Sequence, residues 1–196
     1  MKHPAFYSPS HYVEPRLLWH GARRLWAYYR DTPTNEAALG AVWEITNACD
    51  ADCSFCGTHA LRKRFGERTR DEVIRIAAAL ARSGARYVNV SGGEPLMAKH
   101  VFTAMDRLRE DNVRLTLNTN GSRVAELVDE LVGRISVITI SLDSIDAAEH
   151  DRIRRKEGLT ALIHRGIDAI RAHPQGDSVS VRLRSVISPD NFRQIV

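Results

Sequence analysis

The chain has 196 residues, a length that fits one ordinary domain. Its 43% hydrophobic content can fill a core and its 27% charged content keeps a surface wet, which excludes disordered and fibrous classes. The net charge of +4 comes mainly from arginine interleaved with acids, as in Arg107, Arg109 and Glu110 or His150, Asp151 and Arg152, a pattern of solvated helix faces and not of a nucleic-acid interface.

In chain order, Met1-Lys2-His3-Pro4 does not lead into a signal-peptide core, and no apolar run approaches the roughly 18 residues of a membrane span. A cytoplasmic protein is expected. Residues 1–40 read as an N-terminal helical extension. Within it, residues 15–30 place Leu18, Ala22, Leu25, Trp26 and Tyr29 at helical spacing on a basic, aromatic stretch. Membrane-surface contact is open to such a helix, but packing against the main domain is favoured for so short a stripe.

From Ala41 the chain alternates strands and helices. A strand is expected at 41–46 and a helix at about 69–83, where Thr69 and Glu72 have the capping-box spacing and Gly84 supplies the stop. Further strands are expected at 87–91, 113–118, 135–141 and 178–187. Helices fall between them at about 98–110, 122–132, 147–156 and 159–172, with another starting at Pro189. Strands separated by helices imply right-handed crossovers and a parallel sheet. A closed eightfold barrel needs about 250 residues. The expected fold is therefore α/β, a partial parallel (β/α) barrel of about five strands, with residues 41–196 forming a core whose last strand or strands are missing.

The polar motifs all follow strands. The cysteines come after the first, Gly92-Gly93-Glu94-Pro95 after the second, Asn118-Thr119-Asn120-Gly121 at the end of the third, and Ser141-Leu142-Asp143-Ser144 at the end of the fourth. That is the carboxyl edge, where parallel α/β folds build their sites. Each motif has a plainer reading alone: Gly92-Gly93 and Asn120-Gly121 as turns, Ser141 as a helix cap.

All three cysteines, Cys49, Cys53 and Cys56, lie within one loop with the spacing C-x3-C-x2-C. An odd, clustered set is no disulfide framework and points to a metal or cluster. Three thiolates leave one iron of a cubane without a protein ligand, an open position suited to catalysis. A structural Cys3His zinc site with His59, making the protein a non-enzymatic binding module, is the alternative that spacing alone leaves open.

The CxxxCxxC motif with Phe55 before its last cysteine resembles the hallmark of the radical S-adenosylmethionine (SAM) superfamily. Ser91-Gly92-Gly93-Glu94-Pro95-Leu96, the Thr-Asn-Gly after the third strand, the Ser-Leu-Asp after the fourth, and His150-Asp151-Arg152-Ile153-Arg154 with Gly158 extend the resemblance over about residues 41–191. It implies that Cys49, Cys53 and Cys56 ligate a [4Fe–4S] cluster whose fourth iron is chelated by SAM. It further implies that Gly92, Gly93 and Glu94 receive the SAM amino group, that Phe55 lies near the adenine, and that Ser141 bonds the ribose with Asn118 nearby. Arg184 is a candidate partner for the SAM carboxylate. The chemistry so implied is reductive cleavage of SAM to a 5′-deoxyadenosyl radical, which abstracts hydrogen from a small molecule or a peptide. An external one-electron donor such as flavodoxin or ferredoxin is implied as a partner.

Overall fold

A computed structural model describes residues 40–57, 66–189 and 191–194, together with Trp19 and Ala22. Apart from those two residues, the expected helix at 15–30 lies outside the described residues, as does His59.

Five strands form one sheet in the order β1-β2-β3-β4-β5. They are β1 (Gly40–Thr46), β2 (Tyr87–Gly92), β3 (Arg114–Thr119), β4 (Val137–Ser141) and β5 (Ser180–Arg184). Every neighbouring pair is parallel, so each link crosses over through helical structure. The helices are α1 (Arg70–Arg82), α2 (Val101–Glu110), α3 (Val128–Leu131), α4 (Ala147–Arg154) and α5 (Leu159–Ala172). The α/β class and the five-stranded open sheet agree with expectation.

Side-chain parity divides the sheet into two unlike faces. Val88, Val90, Leu115, Leu117, Ile138 and Ile140 are at most 1% exposed. They pack with Val73 and Ala77 of α1, Ala104, Met105 and Leu108 of α2, and Leu159, Ile163 and Ile170 of α5. The other face is polar. Registers Asn89↔Thr116, Asn118↔Thr139↔Arg182 and Ser141↔Arg184 set those side chains in rows across the strands. Thr116 Oγ1 donates to Asn89 Oδ1 at 3.2 Å within one row. A parallel sheet normally buries apolar residues on both faces. This one keeps its second face for polar contacts.

Helix α1 begins as its sequence dictates. Glu72 N donates to Thr69 Oγ1 at 3.3 Å while Glu72 Oε2 accepts from Thr69 N at 2.8 Å, the complete capping box. Gly84, at φ +83°, takes the left-handed turn after the helix.

Four departures from expectation exceed two residues, three of them because side chains take over backbone bonds. The helix expected from 98 starts at Val101, because Pro95–Met97 first makes a 3-10 turn capped by Glu94 Oε1, which accepts from Leu96 N at 3.1 Å. The helix expected at 122–132 is regular only over Val128–Leu131. At its start Asn120 Oδ1 accepts from Ser122 N at 2.9 Å and Thr119 Oγ1 from Gly121 N at 3.0 Å. Such local bonds compete with a helical first turn. Strand β5 stops at Arg184 because Asp143 Oδ1 accepts from Val186 N at 2.8 Å in place of a ladder partner. After Pro189 the described residues form only a 3-10 turn at Phe192–Gln194.

Candidate functional site

The cysteine loop leaves β1 and is stitched to the glycine motif of β2. Gly93 N donates to Thr46 O at 2.8 Å and Glu94 N to Ala48 O at 2.7 Å. Gly92 sits at φ +132°, and a Cβ there would lie 2.3 Å from Thr46 O. Only glycine allows the two motifs to approach this closely. On its other side the loop rests on the carboxyl end of α4, where Ile153 O and Arg154 O accept from Ser54 N and Asp52 N at 3.3 and 3.2 Å.

Cys49 is buried, whereas Cys53 and Cys56 are half-buried, and none is disulfide-bonded. Ala51 N–H approaches Cys49 Sγ at 3.5 Å and Arg154 Nη1 approaches Cys53 Sγ at 3.7 Å. Burial pushes the Cys49 thiol up to about 11, so iron would have to displace its proton.

Glu94 is fully buried. Its carboxylate accepts from Leu96 N at 3.1 Å, Thr119 Oγ1 at 2.8 Å and Asn120 N at 2.7 Å. Burial raises its pKa to about 7 against the pull of those donors. The side chain thus joins the rims of β2 and β3 from within.

Two networks brace the loop between its cysteines. Asp50 accepts from Asn120 Nδ2 at 2.7 Å, Ser122 Oγ at 2.8 Å and Lys156 Nζ at 2.9 Å. Burial alone would raise the Asp50 pKa, but these donors outweigh it and hold the carboxyl below its usual value. In the second network Arg154 Nε meets Asp143 Oδ2 at 2.6 Å, with its guanidinium 5.1 Å from the Phe55 ring centroid. Arg155 adds an exposed ion pair to Asp52 at 3.2 Å. Three consecutive basic residues therefore reach the cysteine loop and its support.

The remaining sequence candidates lie on the polar face. Asn118 is in register with Thr139, and Ser141 with Arg184, so Asn118, Ser141 and Arg184 share one side of the sheet. Phe55 lies in the loop itself, its ring under Arg154.

Among the described residues no three Cys, His, Asp or Glu side chains gather about one point as a single metal ion requires. A cubane makes no such demand, because each thiolate takes its own iron. Three thiols in one loop, with N–H groups turned towards two of the sulfurs, are a donor set that fits an iron–sulfur cluster.

The family model described as Radical SAM superfamily matches residues 43–186, most of the chain. The chain belongs to the radical SAM superfamily. Members of this family are enzymes that use a [4Fe–4S] cluster and SAM, which sets aside the zinc-module alternative. Among curated relatives, GTP 3′,8-cyclase of Ectopseudomonas mendocina is 31% identical over 65% of this chain and 40% of its own length. The probable GTP 3′,8-cyclase of Thermococcus kodakarensis is 30% identical over 65% of this chain and 42% of its own. The chain thus spans about two fifths of the length of these relatives. Among solved structures, Streptococcus suis SuiB bound to S-adenosylmethionine superposes with a TM-score of 0.68 at 20% identity, covering 94% of this chain and 42% of that one. This likeness bears on the radical SAM fold alone.

Sequence reasoning missed Asp50, Asp143, Arg154 and Lys156. Asp50 lay within the cysteine motif and Asp143 within Ser-Leu-Asp, so position was the available signal. His150 stood in a charged run read as a solvated face, and both His150 and Arg154 stood in a motif of the resemblance that carried no assigned role, yet they are 0% and 7% exposed. Their spacing of four along α4 puts both on its inner side.

Proposed function

We propose that this chain is the catalytic core of an enzyme that cleaves SAM reductively and abstracts hydrogen from a small biosynthetic molecule or a peptide. The observation that carries the reading is the meeting, at one carboxyl edge, of the three-cysteine loop, the close-packed Gly92 turn and the polar face of the sheet. Cys49, Cys53 and Cys56 would each hold one iron. The chemistry a bound cluster would supply is one electron for reductive cleavage of the S–C5′ bond of SAM, giving methionine and a 5′-deoxyadenosyl radical.

The chain's own residues bind and orient. Gly92, Gly93 and Glu94 would present main-chain acceptors to the SAM amino group, with Gly92 leaving room for the approach. Ser141 and Asn118 would serve the ribose, Arg184 on the same face the carboxylate, and Phe55 the adenine. Fixed placement matters because a carbon radical reacts with whatever C–H bond is nearest.

The curated relatives are named for a reaction of GTP, which weighs the substrate towards a small molecule. A flavodoxin or ferredoxin is the electron donor we expect. Among the described residues no helix is long and apolar enough to cross a membrane, and we place the protein in the cytoplasm.

Anaerobic reconstitution with iron and sulfide, followed by reduction in the presence of SAM, tests the reading. A brown protein that forms 5′-deoxyadenosine and methionine is the expected result. A colourless protein with stoichiometric zinc and no SAM turnover would overturn it.

A further inference from the structure

We infer that Arg154 is a positioning residue for the cluster, its guanidinium bridging buried Asp143 and the Cys53 sulfur so as to fix the loop and raise the cluster's reduction potential. This rests on the reading of Cys53 as an iron ligand.

The contacts divide the guanidinium by function. Nε faces Asp143 Oδ2 at 2.6 Å, Nη1 faces Cys53 Sγ at 3.7 Å, and the planar group lies 5.1 Å from the Phe55 ring centroid. A flat fork with several donors can meet a carboxylate, a sulfur and a ring face together, and a lysine ammonium cannot. Asp143 is itself held rigidly: Oδ1 accepts from Val186 N at 2.8 Å, and its N–H donates to His150 Nδ1 at 3.0 Å. Arg154 also engages the loop through its main chain, accepting from Asp52 N at 3.2 Å. One residue therefore secures the chain beside Cys53 by both backbone and side chain.

A buried ion pair of this kind is weak evidence for stability, because desolvation offsets much of its attraction. Orientation is what matters here. The carboxylate is 0% and the arginine 7% exposed, so little water screens them. The pair is neutral overall, but its positive end points at a thiolate sulfur. Adding an electron to the cluster places more negative charge at that end, and hydrogen bonds to cluster sulfurs raise reduction potentials. Arg155 and Lys156 turn instead to the carboxylates of Asp52 and Asp50. They are the internal contrast.

The test measures cluster potential by spectroscopically monitored reductive titration of the full chain, reconstituted anaerobically without SAM. Removing the arginine alone would strand a buried carboxylate, so the neutral variant is D143N/R154M, in which Asn keeps an oxygen for Val186 N. At the potential where the wild type is half reduced, the reduced-to-oxidised ratio of D143N/R154M should fall about tenfold, or about 59 mV for a one-electron couple. Arg154→Lys keeps the cation but loses the fork, and should shift by an intermediate amount, less than the double variant and more than twofold from the wild type. Arg155→Gln should stay within twofold of the wild type.

The inference is overturned if D143N/R154M stays within twofold of the wild type, or if Arg154→Lys shifts as far as the double variant. It is equally overturned if the double variant loses its iron while Arg154→Lys titrates as the wild type does, since the role would then be structural support alone. A wild-type chain that takes up no iron and sulfide refutes the cluster reading itself, a different result from any of these.

Discussion

Replacing Glu94 by Gln separates the burial of a carboxylate from its hydrogen bonds. Wild-type Glu94 is fully buried, and its two oxygens receive three donors, Leu96 N, Thr119 Oγ1 and Asn120 N. Burial raises its pKa from 4.5 to about 7. Because the folded value lies above the unfolded one, folding takes up a proton between these limits. The stabilisation linked to that proton is full below pH 4.5 and is lost as pH rises through about 7. The rise corresponds to about 3 kcal/mol. Glutamine has no such proton, and whichever way its amide is turned, an NH2 faces a donor. One unmade buried bond costs about 1–3 kcal/mol at every pH. Between pH 5 and pH 8, urea unfolding should therefore show wild type losing about 2.5 kcal/mol more stability than Glu94→Gln. Equal pH slopes in the two proteins would refute the buried-proton argument.

Cys53→Ala should remove the cluster and all 5′-deoxyadenosine formation, checked by iron and sulfide analysis beside a product assay. Gly92→Ala forces a Cβ to within 2.3 Å of Thr46 O at φ +132°. It should cost roughly 1–3 kcal/mol or more in unfolding experiments and weaken SAM binding measured by calorimetry, because the two rim motifs must part. Thr69→Ala breaks the capping box at a distance from the cysteines and should cost about 1 kcal/mol while leaving SAM cleavage per cluster unchanged. Lys156→Met takes one donor from Asp50, so the Asp50 carboxyl, held low partly by that lysine, should titrate at higher pH by carbon-detected NMR.

Local sequence made the scaffold readable. Strand and helix alternation, the Thr69–Glu72 box and the stop at Gly84 depend on residues within a few positions of one another, and the sheet follows from them. The carboxyl-edge position of the motifs was legible for the same reason. What stayed hidden was contact across long separations. Asp50 reaches Ser122 and Lys156, and Arg154 reaches Cys53, through folding that no window of sequence contains. The segment after Gly121 misled because its composition suits a helix, while Thr119 and Asn120 side chains divert the first-turn donors. The plainer reading of Glu94, an exposed acid before Pro95, failed because its partners lie on a neighbouring strand as well as in its own turn. The structure gives its oxygens to Leu96, Thr119 and Asn120.

The bonds around Asp50 have a consequence for the order of the loop. Asn120, Ser122 and Lys156 tie Asp50, between the first two thiols, to the turns that follow β3 and α4. Part of the conformational entropy lost in ordering that span is therefore offset by bonds among protein atoms. Loosening any one of these bonds would return freedom to the stretch that joins two of the thiols.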